Sequence, residues 1–313
     1  MALSNRDYWA NRARQDKIKV IKTGEQGIDN LKRILKKNLD DVDKKIKEFY
    51  EKYGDNPAEK LSYAEFEKYK QNLARKARLY PQDKTLQKLA KQDIPKYKID
   101  RLRALQTDLQ IQLTEATAGQ EAGIYKTLQD VGKVSQATLA KRFADSFGLE
   151  FNTIASRKMK QLMTADWCQG KNWSERIWAD REIVGEKLTE ILEKGIPQGT
   201  SRQKMARELK NVTYNSYNNA FRLIRTETAH LDGQVKLEKF KQIQEKSGRK
   251  LKYQYDAFLD SRTSKICREL DGKSFWVDDA EVEVNFYPMH PNCRSTVVLI
   301  LPDIDWEKFD FFN

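Results

Sequence analysis

Along most of this chain the apolar residues return every three or four positions, and near the end they begin to alternate. Leu31, Ile34, Leu35, Leu39, Val42, Ile46, Phe49, Tyr50 and Tyr53 fall on one stripe whose other face is Lys, Asp and Glu, which predicts a helix from about Gly27. Gly54-Asp55-Asn56-Pro57 ends it, because this cluster cannot continue a helix. A second helix is predicted over Tyr63–Leu79, stopped before Pro81. After Pro95 a third stripe follows: Ile99, Leu102, Leu105, Leu109 and Leu113. From Glu121 to about Asn211 the pattern stays helical and grows aromatic, with Phe143, Phe147, Phe151, Trp167, Trp173 and Trp178. Trp173, Ile177, Val184, Leu188, Ile191 and Leu192 share a face that breaks at Gly195–Gly199. Ser201 can then cap a short helix over Gln203–Leu209. This pair of elements has the outline of a helix-turn-helix, although most such hairpins do not touch DNA.

A long helix fits Tyr217 to about Lys246, and after it the period drops to two. Lys252–Phe258 alternates, Ser274–Val277 is β-prone, Glu281–Val284 alternates again, and Ser295–Leu301 reads as a buried strand closed by Pro302. The expected fold class is therefore α+β: mostly helical N-terminal and middle regions, then a small C-terminal α+β module of one long helix and a short, mainly antiparallel sheet. In order, the chain divides into a charged long-helix region at 1–118, a helical middle region at 119–205, the α+β module at 206–301 and an acidic-aromatic tail at 302–313.

Composition narrows the function classes. The 313 residues are 33% charged and 39% hydrophobic, and no run approaches the ~18 apolar residues a membrane span needs. The first sixteen residues lack the apolar core of a secretory signal, so a cytoplasmic origin is expected. Three cysteines, Cys168, Cys267 and Cys293, are too few and too scattered for a disulfide framework. The net charge of +12 is unevenly shared: from Asp256 onward twelve acids face six bases, leaving +18 on the residues before it. A basic body suits a polyanionic partner such as DNA, bound non-specifically, and equally suits Lys-rich helices with solvated faces.

Candidate chemistry collects in the last module. Arg225-Thr226-Glu227-Thr228-Ala229-His230 lies in the long helix, where Glu227 and His230, three apart, share a face and could bind a metal. Arg225 and Glu227, two apart, are expected to pair across to the sheet instead. Asp260-Ser261-Arg262-Thr263 forms a turn in which Asp260 accepts from backbone amides, and Asp271-Gly272 feeds the strand at Ser274. In Pro288-Met289-His290-Pro291-Asn292-Cys293-Arg294 the imidazole and thiol are three apart and can converge on one ion. Cys267, His290 and Cys293 thus supply three metal donors, with a fourth from Asp260, His230 or Glu227, and zinc is the candidate ion. The competing reading is a buried thiol and a hydrogen-bonded histidine that pin two loops without metal. Phosphate-binding loops, dinucleotide fingerprints, nucleophile elbows and zinc-protease motifs do not occur.

The ordered set Arg225-Thr226-Glu227, Asp260-x-Arg262-Thr263-x-x-x-Cys267 with Leu270-Asp271-Gly272, and His290-Pro291-Asn292-Cys293-Arg294-Ser295 resembles the C-terminal domain of phage minor head proteins, the head morphogenesis family of SPP1 gp7-like and Mu gpF-like proteins. The resemblance covers about 206–301. Ser264 stands where a cysteine often pairs with Cys267, and Ser295 where a second cysteine often follows the arginine. The resemblance implies a low-copy virion protein, in the capsid interior or at the portal vertex and in the host cytoplasm during assembly. Its implied partners are the portal protein, capsid or scaffold proteins and DNA, with no membrane; its implied roles are procapsid assembly and ejection with the genome. Arg225, Glu227, Asp260, Arg262, His290 and Arg294 would hold the module together, and the helical half would dock. The alternative is an enzyme, a transferase or metal-dependent hydrolase built on Arg225, Glu227, His230 and the Cys267 and His290 loops. No activated nucleophile or acid–base pair is identifiable by spacing, so a non-enzymatic protein is the first expectation.

Overall fold

The computed structural model describes residues 5–54, 56–92, 94–147, 152–168 and 170–300; the tail at 302–313 and Phe151 lie outside them. Helices α1 (Asn5–Tyr53), α2 (Tyr63–Leu79), α3 (Lys84–Lys91), α4 (Arg101–Phe147), α5 (Ser156–Met163), α6 (Trp173–Gly195) and α7 (Arg202–Ser247) precede a sheet of β1 (Lys252–Asp256), β2 (Ser274–Trp276) and β3 (Thr296–Ile300), with the short helix α8 (Lys265–Leu270) between β1 and β2. The chain is α+β, and among the described residues its strands all lie within 252–300. In the sheet order β2-β1-β3, both neighbours run antiparallel to β1.

Local signals account for several of these ends. Ser62 and Glu65 form a capping box that starts α2, and Asn172 with Glu175 does the same for α6, each satisfying amides that the first turn leaves open. Gly272, at φ 79°, closes the turn into β2 at the Asp271-Gly272 pair.

Four expectations need correction. The short helix over 203–209 and the long one from 217 are a single helix, α7, because no glycine or proline interrupts 203–232. The helix-turn-helix outline therefore does not form as a short reading unit. Likewise α4 runs unbroken across 118/119, and α1 begins at Asn5, more than twenty residues before Gly27. Finally, Glu281–Val284 is a turn region carrying one isolated bridge, Val282 to Phe286. Glu283 sits at φ 66° there, and strand backbone does not adopt that value.

The chain packs as two compact units that do not follow its linear order. One comprises 1–28, 124–169 and 221–313; the other comprises 29–123 and 170–220. In the first, α4 and α7 bring Leu139, Phe143, Leu237, Phe240 and Ile243 onto Tyr253, Tyr255 and Val297 of the sheet. Gly27 lets α1 approach α4 closely, since a Cβ there would stand 2.2 Å from the Thr127 hydroxyl. At Gly233 a Cβ would stand 2.9 Å from the Tyr287 carbonyl, so the 286–289 segment can lie directly on α7.

This unit also buries charge. Asp232 accepts from Lys17 (2.9 Å), Lys236 (3.0 Å), Tyr287 (2.8 Å) and Ser135 (2.7 Å), and Lys236 donates further to Thr296 at 2.8 Å. All three ionised groups are at most 2% exposed. Burial works against the Asp232 carboxylate, yet the two ammonium groups hold it well below the usual carboxylate range.

The second unit has its main core where Ile46, Phe49, Leu105, Leu109, Leu188 and Leu192 meet Met205 and Leu209. Its own buried pair is Arg181 to Asp83, at 2.6 Å. Asp83 is at the same time the N-cap of α3, accepting from the Leu86 amide at 2.9 Å.

Candidate functional site

The sheet and the loops around it bring two sequence-distant segments together. β1 carries Tyr255 into the core, α8 starts one turn before Cys267, and the loop entering β3 delivers His290 and Cys293. Ser264 explains the local fold at α8: its hydroxyl is the N-cap, accepting from the Cys267 amide at 3.3 Å. A serine thus fills, as a helix cap, the place where the resembling family often has cysteine.

Cys267 Sγ lies 3.3 Å from His290 Nε2, 3.9 Å from Cys293 Sγ and 3.4 Å from the Tyr255 hydroxyl. His290 Nδ1 donates to the Pro291 carbonyl at 2.9 Å, which leaves Nε2 as the lone pair turned to the thiols. Hydrogen bonding from Cys293 holds Cys267 down at about 4, while that same bond, with burial, pushes the Cys293 thiol up. Cys267 is thus the more acidic thiol of the pair, and its S–H faces the His290 Nε2 lone pair. Two thiols, which bind as thiolates once deprotonated, and a lone-pair imidazole whose far nitrogen is anchored to a carbonyl are the donor chemistry that zinc takes up. Among the described residues this is the one such cluster, and it contains none of Asp260, His230 and Glu227.

Those three serve elsewhere in the same unit. Asp260 accepts from the Arg262 amide at 2.8 Å and from Arg294 at 2.6 Å, and the latter bond holds its carboxyl far below the ordinary range. Asp271 accepts from the Ala257 amide at 2.8 Å, tying the second half of the motif to the end of β1. Glu227 accepts from the Trp167 indole at 3.0 Å, and His230 stacks on the same indole with ring centroids 4.3 Å apart. Arg225 pairs with Glu25 of α1 through two contacts, at 2.6 and 3.0 Å. The expectation that Arg225 and Glu227 reach the sheet is thus corrected: each meets a helical or loop partner, because α1 and the Trp167 segment line α7 at that level. Neither Glu25 nor Trp167 was recognisable from spacing; the only signal was that Arg225 and Glu227, two apart on a helix, had to face different neighbours.

His230 is deeply buried, and desolvation lowers its pKa from 6.5 to about 3. In the unfolded chain the imidazole takes up a proton near pH 6.5, whereas in the folded chain it stays neutral to about pH 3. Folding stability should therefore fall with acid at roughly 1.4 kcal/mol per pH unit across that window. Urea unfolding of His230→Gln at several pH values is expected to show a flatter profile between pH 6.5 and 4 than the parent, and parallel profiles would contradict it.

Comparison with known proteins adds two findings. Residues 186–298 match the model of a family described as Phage Mu protein F like protein. An NAD(+)--arginine ADP-ribosyltransferase, EFV, of Enterococcus faecalis is 29% identical over 148 residues, covering 44% of this chain and 30% of that protein. This chain thus spans less than a third of that relative's length. No solved structure matches.

Proposed function

Since the chain belongs, over residues 186–298, to the Phage Mu protein F like family of phage head proteins, we propose that it is a minor head protein that binds the portal vertex during procapsid assembly and contacts packaged DNA. The single observation that carries this reading is the family match, which spans all three motifs, each of them in the first unit. Charge supports the DNA contact: the chain is +12 overall, with its excess of bases ahead of Asp256. Portal, scaffold or capsid proteins are the proposed partners and the capsid interior or portal vertex the proposed site of action. No helix among the described residues is long and apolar enough to cross a membrane. Mixing purified chain with the portal protein of the same phage should give a co-migrating complex in size-exclusion chromatography. DNA retention should appear at low salt and fade steeply as salt rises. Absence of both would overturn the reading.

The role proposed is non-enzymatic. The transferase relative is matched over too little of its length for its activity to pass to this chain. A virion role also asks nothing of the Cys267–His290 pair beyond binding.

We also propose that Cys267, His290 and Cys293 hold a zinc ion. Three protein donors are one short of a closed tetrahedral set, with serines at 264 and 295, so bound zinc would stitch α8 to the 290–293 loop and keep one position for water. Chain purified with zinc present is expected to carry one ion, raising the melting temperature, and Cys293→Ala should lose both the ion and the increment. A folded, metal-free parent after the same preparation would exclude the ion.

A further inference from the structure

Beside the cysteine cluster, and wholly within the first unit, lies a cleft of about 990 Å³. His290 and Cys293 reach its wall from the cluster, while Ile18, Ile21, Thr228, Phe258 and Asn292 line it without a part in the roles described above. Its lining is of two kinds. Ile18, Ile21 and Phe258 give it an apolar side, and Arg225, Arg262 and Arg294 bring three guanidinium groups to it.

The charge count around those arginines does not close. Arg225 is paired with Glu25, and Arg294 with Asp260 at 2.6 Å. Arg262 has only a long 3.6 Å contact to the same Asp260, and its side chain is 75% exposed. Three guanidinium groups therefore share two carboxylates, leaving one positive charge at the cleft. Each pairing also uses only part of an arginine's five donors. Asn292, held at φ 62° with its amide donating to Thr226 at 3.2 Å, adds an exposed carboxamide to the lining.

A surplus guanidinium beside two others with spare donors suits an anion with three or more oxygens, because such an anion can be shared among several planar forks. The apolar side suits a flat ring attached to it, and the volume is that of a site for a molecule of nucleotide size. We propose that this cleft binds a phosphate-bearing ligand, a nucleoside phosphate or the phosphorylated end of a DNA strand, with Arg262, Arg294 and Arg225 on the phosphate and Phe258 against the base. The proposal does not rest on portal binding, and failure of the portal experiment leaves it standing.

Equilibrium dialysis of the intact chain against ATP, pyrophosphate and a 5′-phosphorylated twelve-nucleotide single strand tests it. ATP or the oligonucleotide should bind, and Arg262→Glu should weaken that binding at least tenfold. Lys47→Glu, an exposed charge change of the same size in the other unit, should leave it unchanged. Phe258→Ala should weaken ATP but not pyrophosphate. Tighter binding of ATP than of the oligonucleotide assigns the cleft to free nucleotide, and the reverse order assigns it to DNA. No binding of any probe overturns the proposal. Equal loss in Arg262→Glu and Lys47→Glu also overturns it, because that pattern is diffuse attraction of a polyanion by a basic protein.

Discussion

Replacing Asp232 with alanine is expected to remove about 3–5 kcal/mol of folding stability, the typical cost of breaking a buried ion pair by deleting one partner. The carboxylate stands between Lys17 and Lys236, both within 3.0 Å and both essentially without solvent contact. Deleting it leaves two buried ammonium groups without their shared counter-ion, and the Tyr287 hydroxyl loses the carboxylate it donates to. Lys236→Met should cost less, because Asp232 would keep Lys17 as its counter-ion. The ordering has a pH counterpart. Asp232 is held ionised well below the unfolded carboxylate value, so its stabilising contribution is complete above about pH 4. It is lost as acid drives the pH below that toward the native value. Urea unfolding of the parent and both variants at neutral pH checks the ranking. A loss under about 1 kcal/mol for Asp232→Ala would show that the network is not a structural clamp.

Arg181→Leu should destabilise the second unit by a similar amount, about 3–5 kcal/mol. Arg181 and Asp83 are both at most 2% exposed, and Arg181 also donates to the Gln110 carbonyl and the Thr114 hydroxyl at 3.1 Å each. Without the guanidinium, Asp83 keeps the Leu86 amide and Thr114 but must bury an uncompensated negative charge. Burial already lowers the pKa of Arg181, which marks how much solvation the pair has given up. The double variant Arg181→Leu/Asp83→Asn should recover a good part of the loss, since asparagine still caps α3 without a charge. Equal stability of the single and double variants would argue that packing, not the charge, is what Arg181 supplies. Circular dichroism during chemical unfolding reads both.

The parts of the fold that were legible in the sequence are those where periodicity and a breaker agree. Tyr63–Leu79 has clean spacing and Pro81 after it, and α2 occupies those bounds. The alternation over Lys252–Phe258 and the Asp271-Gly272 pair likewise announce β1 and the turn into β2. The first half of α1 stayed hidden for a physical reason. Its buried face runs through Ala10, Ala13, Lys17, Val20, Gly24 and Gly27, and small residues and a lysine do not read as an apolar stripe. Lys17 belongs to the core only because Asp232 neutralises it, and that partner lies 215 positions away. In the same way Asp232 and Lys236 look like the solvated face of α7 until the sheet closes over them.

The candidate site divides similarly. The three-residue spacing of His290 and Cys293 and the conspicuous Cys267 suggested a shared cluster, and the structure brings those three side chains within 4.8 Å of one another. Spacing could not assign the remaining members. His230 and Glu227 carry metal-binding chemistry on paper, yet both turn to Trp167, whose position depends on the loop before α6 rather than on any local repeat. Ser264 and Ser295 depart from the resembling pattern; of the two, Ser264 is the more telling, since it trades a donor for a helix cap.

The central claim is that this chain is part of a phage head, and quantitative mass spectrometry of density-purified heads against the lysate tests it most directly. Peptides from the 186–298 segment should be found in the particles at low copy number, retained through washing at moderate salt. Intact, infectious particles that lack the chain while the lysate contains it would contradict the claim.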